Sequence, residues 1–240
     1  MIILVTGGAS GLGKAIVEKL AADANCFIYF TYCHSKLSAD DLMKRFTNSK
    51  ALFCDFCNTE SVDELALTIN ELKLGVLINN AHSTPISKQY FHKTDLNIFE
   101  AGFKNNILPL IKITQNAISV FKKQKNGRVI TILTSALVNK PPIGWSEYVA
   151  SKAYIESLSK SWAIENASFN ITSNCIAPSF MKTALTADTD ERIIEEMEKN
   201  SPLKKILTVD EVAEAVSFYT KASQQINGTT LVLNSAVDVV

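Results

Sequence analysis

Residues 2–16, "IILVTGGASGLGKAI", decide how the rest of the chain is read. Residues 2–6 are an apolar run with no polar alternation, the pattern of a strand buried on both faces. Gly7, Gly11 and Gly13 follow at once, and an amphipathic segment over 12–22 follows them. Glycines at a strand-to-helix junction permit a tight turn, and the free N–H groups and positive dipole end of the helix then suit a pyrophosphate. The glycine pattern alone is weak, since a turn that binds nothing can carry the same glycines. The strand before it and the helix after it make a phosphate cradle of Gly7, Ser10, Gly11, Leu12 and Gly13 the sharper expectation.

The same alternation recurs outward from this stretch. Apolar runs at 26–32, 51–54, 76–79, 129–134, 171–177 and 230–234 alternate with helical patterns at 38–46, 59–73, 95–124, 148–167, 189–199 and 209–221. Near-continuous apolar strands joined by helices specify a parallel sheet covered on both faces. The expectation is a single α/β domain over 1–240, a doubly wound parallel sheet of about seven strands of the Rossmann type. A chain of this length buries roughly 70–75% of the surface its unfolded form exposes, so one sizeable core is expected. Ligands of such sheets bind beyond the carboxyl ends of the strands, which places functional residues just after each apolar run.

Composition excludes several classes. Lys plus Arg and Asp plus Glu number 24 each, so no net charge recruits nucleic acid or an anionic membrane. Lys122, Lys123, Lys125 and Arg128 cluster in a predicted turn and read as a solvated surface, with an acidic partner surface as the alternative. No stretch approaches the ~18 uninterrupted apolar residues of a membrane helix. The first residues run straight into a short apolar stretch without a basic leader. Five cysteines are an odd count at low density, which fits a reducing compartment, and a cytoplasmic location is expected. Cys54 and Cys57 match C-x-x-C, but with no second pair and no nearby histidine they read as free thiols, and no metal site is expected.

"SEYVASKAYIESL", residues 146–158, opens a helical pattern in which Tyr148 and Lys152 stand four apart. Residues at that spacing share a helix face with Cβ atoms about 6 Å apart, so phenol and ammonium can enter the same space. The fourth apolar run ends in "NNAH", residues 79–82, and the fifth ends in Ser135, thirteen residues before Tyr148. T-G-x-x-x-G-x-G, N-N-A, a serine after the fifth strand and Y-x-x-x-K, in this order, resemble the signature of the short-chain dehydrogenase/reductase family. The resemblance covers essentially the whole chain, and within the family it is similar to bacterial reductases of the 3-oxoacyl thioester type.

The resemblance implies an NAD(P)-dependent oxidoreductase that moves hydride between NADP(H) and a small-molecule carbonyl compound or secondary alcohol. Tyr148 would be the general acid and base, its pKa drawn below the ordinary value near 10 by the Lys152 cation and the positive charge of an oxidised nicotinamide. Ser135 would hydrogen-bond the reacting oxygen, and Lys152 would also bind the nicotinamide ribose. Asn106 matches an asparagine that supports a water path to the lysine, with Asn105 as the neighbouring alternative. Asp55, beside Phe56, would accept from the adenine amino group, while Asn79, Asn80 and Ala81 would pass the adenine ribose. Pro178, the backbone of Met181 and the Thr183 hydroxyl would meet the nicotinamide carboxamide.

Three departures accompany the match. His82 and Ser179 stand where the family keeps glycine, and "LNSAVDVV" lacks a paired glycine after the last strand. Histidine tolerates positive φ, so steric accommodation of His82 is expected over a catalytic role. A catalytically weak dinucleotide-binding regulator or scaffold is the alternative these departures leave open.

The substrate pocket is expected between 136–145 and 180–203, where Leu137, Ile143, Trp145, Phe180 and Met181 favour a moderately apolar carbonyl compound. Ile193, Ile194 and Met197 form an apolar stripe on what reads as a mobile lid or a helix docked on the core. Phe169 stands where acyl-carrier-protein reductases of the family often present a basic residue. The apolar content of 95–124 and 148–167, with the family's pairing of these helices, implies a homotetramer or homodimer. After the second strand NAD-specific members carry a carboxylate; this chain has Cys33, then His34, Ser35 and Lys36, so NADPH is expected over NADH.

Overall fold

The computed structural model describes residues 1–138 and 140–239; Asn139, inside the expected pocket wall 136–145, and Val240 lie outside the described residues. Among the described residues the strands are β1 (Ile2–Val5), β2 (Phe27–Tyr32), β3 (Ser49–Phe53), β4 (Leu74–Asn79), β5 (Gly127–Ile132), β6 (Ile171–Pro178) and β7 (Thr230–Leu233). They form one parallel sheet in the order β3-β2-β1-β4-β5-β6-β7. The helices are α1 (Gly11–Ala21), α2 (Lys36–Arg45), α3 (Thr59–Glu71), α4 (Leu96–Gly102), α5 (Leu108–Gln124), α6 (Ser146–Asn166), α7 (Glu191–Asn200) and α8 (Val209–Lys221). The order reverses between β1 and β4, and this switch point is where a doubly wound sheet opens a crevice at its carboxyl edge.

Both faces of the sheet are apolar for one reason, the two-residue period of a strand. Ile3 and Val5 pack with α1 and α8, among them Ile16, Val17, Val212 and Val216, whereas Leu4 between them packs with Leu65, Ile69, Ile113 and Phe121 of α3 and α5. Each such side chain taken fully from water contributes about 1.5–3 kcal/mol. Helix ends are fixed locally: Asn58 accepts from the Ser61 N–H, and Thr208 and Glu211 cap one another reciprocally at α8.

The expected continuous helix over 95–124 is corrected. α4 and α5 are separated by a π-helical turn over Phe103–Ile107, in which Leu108 N–H donates to the Phe103 carbonyl five residues back. The cause is Pro109, which has no N–H to give the Asn105 carbonyl and whose ring crowds it. The chain takes the wider turn and restarts with proline in the first turn of α5, where the missing donor costs nothing.

After β7, Ser235 and Ala236 adopt φ of 55° and 60°, the left-handed region that the absent paired glycine would have occupied freely. Asn234 holds the turn, its Oδ1 accepting from Ala236 N–H at 3.1 Å and its Nδ2 donating to the Asp238 carbonyl at 2.8 Å. Ala236→Gly relieves the Cβ strain and is expected to raise stability by about 1 kcal/mol. The reading is a thermal midpoint higher by about 2–4 °C for a chain of this size; an unchanged or lower midpoint would contradict the strain.

Candidate active site

The floor of the site is a clamp between β1 and β4. Thr6 Oγ1 accepts from the N–H groups of Asn80 and Ala81 at 3.0 and 3.1 Å, and Asn80 Nδ2 donates to the carbonyls of Thr6 and Gly7 at 3.0 and 3.2 Å. Thr31 at the end of β2 accepts from Gly7 N–H at 2.8 Å. The glycine turn is thus held from both neighbouring strands. A Cβ at Gly13 would overlap the Gly7 carbonyl oxygen, so α1 can start this close to β1 only with glycine there. Gly11 has φ +50°, and the nearest side chain to a Cβ built there is Thr183, 3.5 Å away across the crevice.

From this turn a cavity of about 860 Å³ runs along the carboxyl edge of the sheet. One end is walled by Cys33, His34, Ser35, Asp55 and Phe56, the middle by Asn80 and Ala81 opposite Thr183, and the other end by Ser135, Tyr148 and Lys152. Pro178, Ser179 and Met181 follow β6 along the same wall.

Tyr148 and Lys152 lie on the buried face of α6, at 8% and 7% exposure, as the spacing required. Lys152 Nζ donates to the Ile132 carbonyl at 2.9 Å and stands over the Tyr148 ring, 5.7 Å from its centroid. The Tyr148 ring is held edge-on by His82 at 5.3 Å and by Trp145 at 5.6 Å. Burial pushes the Tyr148 phenol up to about 12; a hydrogen bond from the Thr134 side chain opposes this and the Glu147 carboxylate adds to it. Burial pulls the Lys152 amine down to about 8. Among the protein's own groups, then, burial outweighs Lys152, and the expected lowering of the phenol rests on the nicotinamide charge as well. The ammonium is engaged with a backbone carbonyl and faces the ring, and dehydration of the phenolate outweighs it.

For His82 only the suggested positive φ is corrected. It is not among the residues with left-handed backbone, so no conformational tolerance was needed to seat it. Burial, followed by the Lys152 charge, pulls the imidazole down to about 3 against an opposing hydrogen bond with the Thr84 backbone. It is neutral at working pH, and its Nε2 is buried without a hydrogen-bond partner. Ser179 likewise has ordinary backbone, and its N–H donates to the Leu233 carbonyl at 2.9 Å, tying the end of β6 to β7.

Other expected positions fall outside the cavity. Asn79 is buried on the α5 side of the sheet, its Nδ2 donating to Thr114 Oγ1 at 3.0 Å, because strand alternation turns it away from Asn80. Asn106, rather than Asn105, faces the loop after β4: its Oδ1 accepts from Ser83 N–H and its Nδ2 donates to Thr84 Oγ1, both at 2.7 Å. Lys36 is exposed at the first position of α2 and does not line the cavity, whereas His34 and Ser35 do. Asp55 lines it with Oδ1 accepting from Cys57 N–H at 2.9 Å. Sequence reasoning missed Thr134, whose side chain is hydrogen-bonded with the Tyr148 phenol and whose only signal was adjacency to Ser135; Thr31 carried no signal, and Thr6 was legible only as the threonine that opens the glycine motif.

The residues present fit a nicotinamide dinucleotide. The glycine turn is kept free of Cβ atoms, α1 presents its N-terminus to the crevice, and the cavity lies within the usual size range of cofactor sites.

A family profile described as short chain dehydrogenase matches residues 1–193. The 3-oxoacyl-[acyl-carrier-protein] reductase FabG of Aquifex aeolicus (strain VF5) is 28% identical, over 98% of this chain and 96% of its own length. Nodulation protein G of Azospirillum brasilense is 30% identical, over 99% and 98%. A solved structure described as a short chain dehydrogenase/reductase family protein has the same fold, with a TM-score of 0.86 at 24% identity, covering 98% of this chain and 96% of that one. The glycine turn at the sheet's switch point, the buried tyrosine and lysine on α6, and matches that run from end to end have one reading. The chain belongs to the short-chain dehydrogenase/reductase family of NAD(P)-dependent oxidoreductases.

Proposed function

We propose that this enzyme interconverts a carbonyl compound and its secondary alcohol using NADP(H), with Tyr148, Ser135 and Lys152 acting on the substrate oxygen and Asn106 as a positioning residue. The observation that carries the reading is the buried phenol of Tyr148, hydrogen-bonded with Thr134 and facing the cavity that begins at the glycine turn. When bound, the nicotinamide supplies hydride to the substrate carbon, or accepts it in reverse. In the reducing direction the Tyr148 hydroxyl gives its proton to the carbonyl oxygen as that oxygen gains charge. A phenol held protonated by burial is the form this step needs. The Ser135 hydroxyl donates to the same oxygen and fixes its position, and the Lys152 cation stabilises the phenolate left behind. His82 and Trp145 confine the ring so that Oη keeps its aim.

The substrate we propose is a 3-oxoacyl thioester or a similar apolar ketone, in line with the printed name of the Aquifex relative and with the apolar walls Phe180, Met181 and Trp145. At the helix end Lys122 lies over Phe169, 4.8 Å from the ring centroid, so a cation stands beside the position where this chain lacks a basic residue of its own. Tyr148→Phe is expected to lower kcat by at least ~100-fold with coenzyme affinity little changed. Stopped-flow turnover with coenzyme binding measured in parallel checks it; comparable turnover in the variant would remove the mechanism.

For the coenzyme, the support is the adenosine end of the cavity. Cys33, His34 and Ser35 line it, none of residues 33–36 after β2 is a carboxylate, and the Ser35 side chain makes no cap bond at the start of α2. Asp55 is the proposed acceptor for the adenine amino group. Hydrogen bonds to a charged phosphate of about 1–3 kcal/mol give an expected kcat/KM ratio for NADPH over NADH of about 5- to 150-fold. A ratio at or below unity with one common substrate sinks the assignment.

We further propose a homotetramer in the cytoplasm. Leu96 is 76% and Ile164 82% exposed, and Phe103, Leu108 and Tyr154 add to the apolar surface of α4, the π-helical turn, α5 and α6. All five thiols are free, which suits a reducing compartment. Light scattering at micromolar concentration is expected to give four times the chain mass; a monomer would exclude this assembly.

A further inference from the structure

The adenosine end of the cavity carries three thiols, those of Cys33, Cys54 and Cys57. Tyr32 and Phe53 are register partners at the ends of β2 and β3, their rings edge-on at 5.8 Å, and Cys54 N–H still donates to the Tyr32 carbonyl at 2.9 Å. Cys33 and Cys54 therefore leave the sheet side by side, on the face opposite those rings. The chain after β3 folds back at once: Asp55 Oδ1 accepts from Cys57 N–H at 2.9 Å, and Asn58 N–H donates to the Asp55 carbonyl at 3.1 Å. That turn brings Cys57 round to the mouth where Cys33 stands. Both thiols donate to the Asp55 carboxylate, so the two sulfurs are near neighbours. Cys57 is exposed and Cys33 partly buried, whereas Cys54 is buried with its thiol turned to the Ser61 carbonyl at 3.8 Å.

We propose that Cys33 and Cys57 form an oxidisable pair, which takes a low-molecular-weight disulfide and closes into a cross-link that shuts coenzyme out of the adenosine end. The exposed Cys57, as thiolate, attacks one sulfur of the reagent, whose S–S bond breaks. A mixed disulfide forms, and the departing thiolate takes up the proton that Cys57 lost. Cys33 then attacks the Cys57 sulfur, the second reagent thiol leaves in the same way, and the bond between Cys33 and Cys57 remains. Two protein thiols are oxidised and one reagent disulfide is reduced to two thiols. Burial, followed by the Asp55 charge, holds both thiols above their ordinary range, so exchange is slow, running over minutes to hours. The cross-link ties the segment after β2 to the turn after β3 across the wall that adenosine would meet. The proposal rests on the placement of adenosine given above.

The test treats the full chain with millimolar oxidised glutathione, maps disulfides by mass spectrometry and titrates NADPH binding by fluorescence before and after. A cross-link between Cys33 and Cys57 is expected, with coenzyme affinity at least about tenfold weaker and restored by dithiothreitol. Saturating NADPH during the treatment is expected to prevent it. The double variant Cys33→Ser with Cys57→Ser, compared with itself before treatment, is expected to keep its affinity within about twofold. Adducts without that cross-link, cross-linking at an equal rate under saturating NADPH, a complete cross-link that leaves affinity unchanged, or an equal loss in the double variant overturns the proposal while the coenzyme reading stands. Untreated protein that binds neither NADPH nor NADH removes the coenzyme reading, and this proposal with it.

Discussion

One threonine and one asparagine tie β1 to β4, and the site depends on that tie. The strands are neighbours in the sheet but far apart in the chain, and the connections leaving them depart toward opposite faces. Something must fix how the two departing segments pass each other. The Thr6 hydroxyl and the Asn80 amide do so with four hydrogen bonds, all within the first residues beyond the strand ends. The path of the glycine turn, the closeness of α1 and the position of Ala81 and His82 under the tyrosine all follow from it. Gly13 is obligatory because this tie pins the Gly7 carbonyl where a side chain would otherwise sit.

Burial acts on Tyr148 and Lys152 in opposite directions for the same reason. It disfavours whichever form carries charge, so the acid rises and the base falls. The phenol is pushed up to about 12 and the amine down to about 8, with the Ile132 carbonyl accepting from the amine at 2.9 Å. His82 extends the pattern. A histidine in the wall of such a pocket would ordinarily raise the question of a second titrating group, but the dry surroundings and the lysine keep it neutral. Its contribution to Tyr148 is a surface to lean on.

Much of this was legible in the sequence because the sheet is buried on both faces, which removes polar alternation and leaves runs such as "IILV" and "VLIN" unmistakable. The face of α6 carrying Tyr148 and Lys152 followed from helical spacing alone. Two errors were avoidable. Pro109, inside a supposed thirty-residue helix, marks a break wherever it occurs. Asn79 stands two residues after Leu77, which packs against α5, so the same face belonged to it. Lys36 shows a different limit: it is the first residue of a helix, and the direction of its side chain depends on how that helix leaves the sheet, which spacing does not encode. Burial of the phenol is a property of the assembled pocket, so no reading of residues 146–158 could have set the sign of its pKa shift.

The π-helical turn before α5 carries one residue more than a regular helical turn, in which each residue advances about 100° around the axis. Asn106 sits inside that turn and reaches Ser83 and Thr84 from it. In comparative terms the turn is the footprint of a single-residue insertion. Because the wider turn absorbs its extra residue, shortening 103–107 by one residue would close it to a regular turn and leave α4 and α5 close to their present faces. What such a gap would remove is the bulge that carries Asn106 to the loop beneath His82, so a homologue with one residue fewer here would lose that grip rather than the helix.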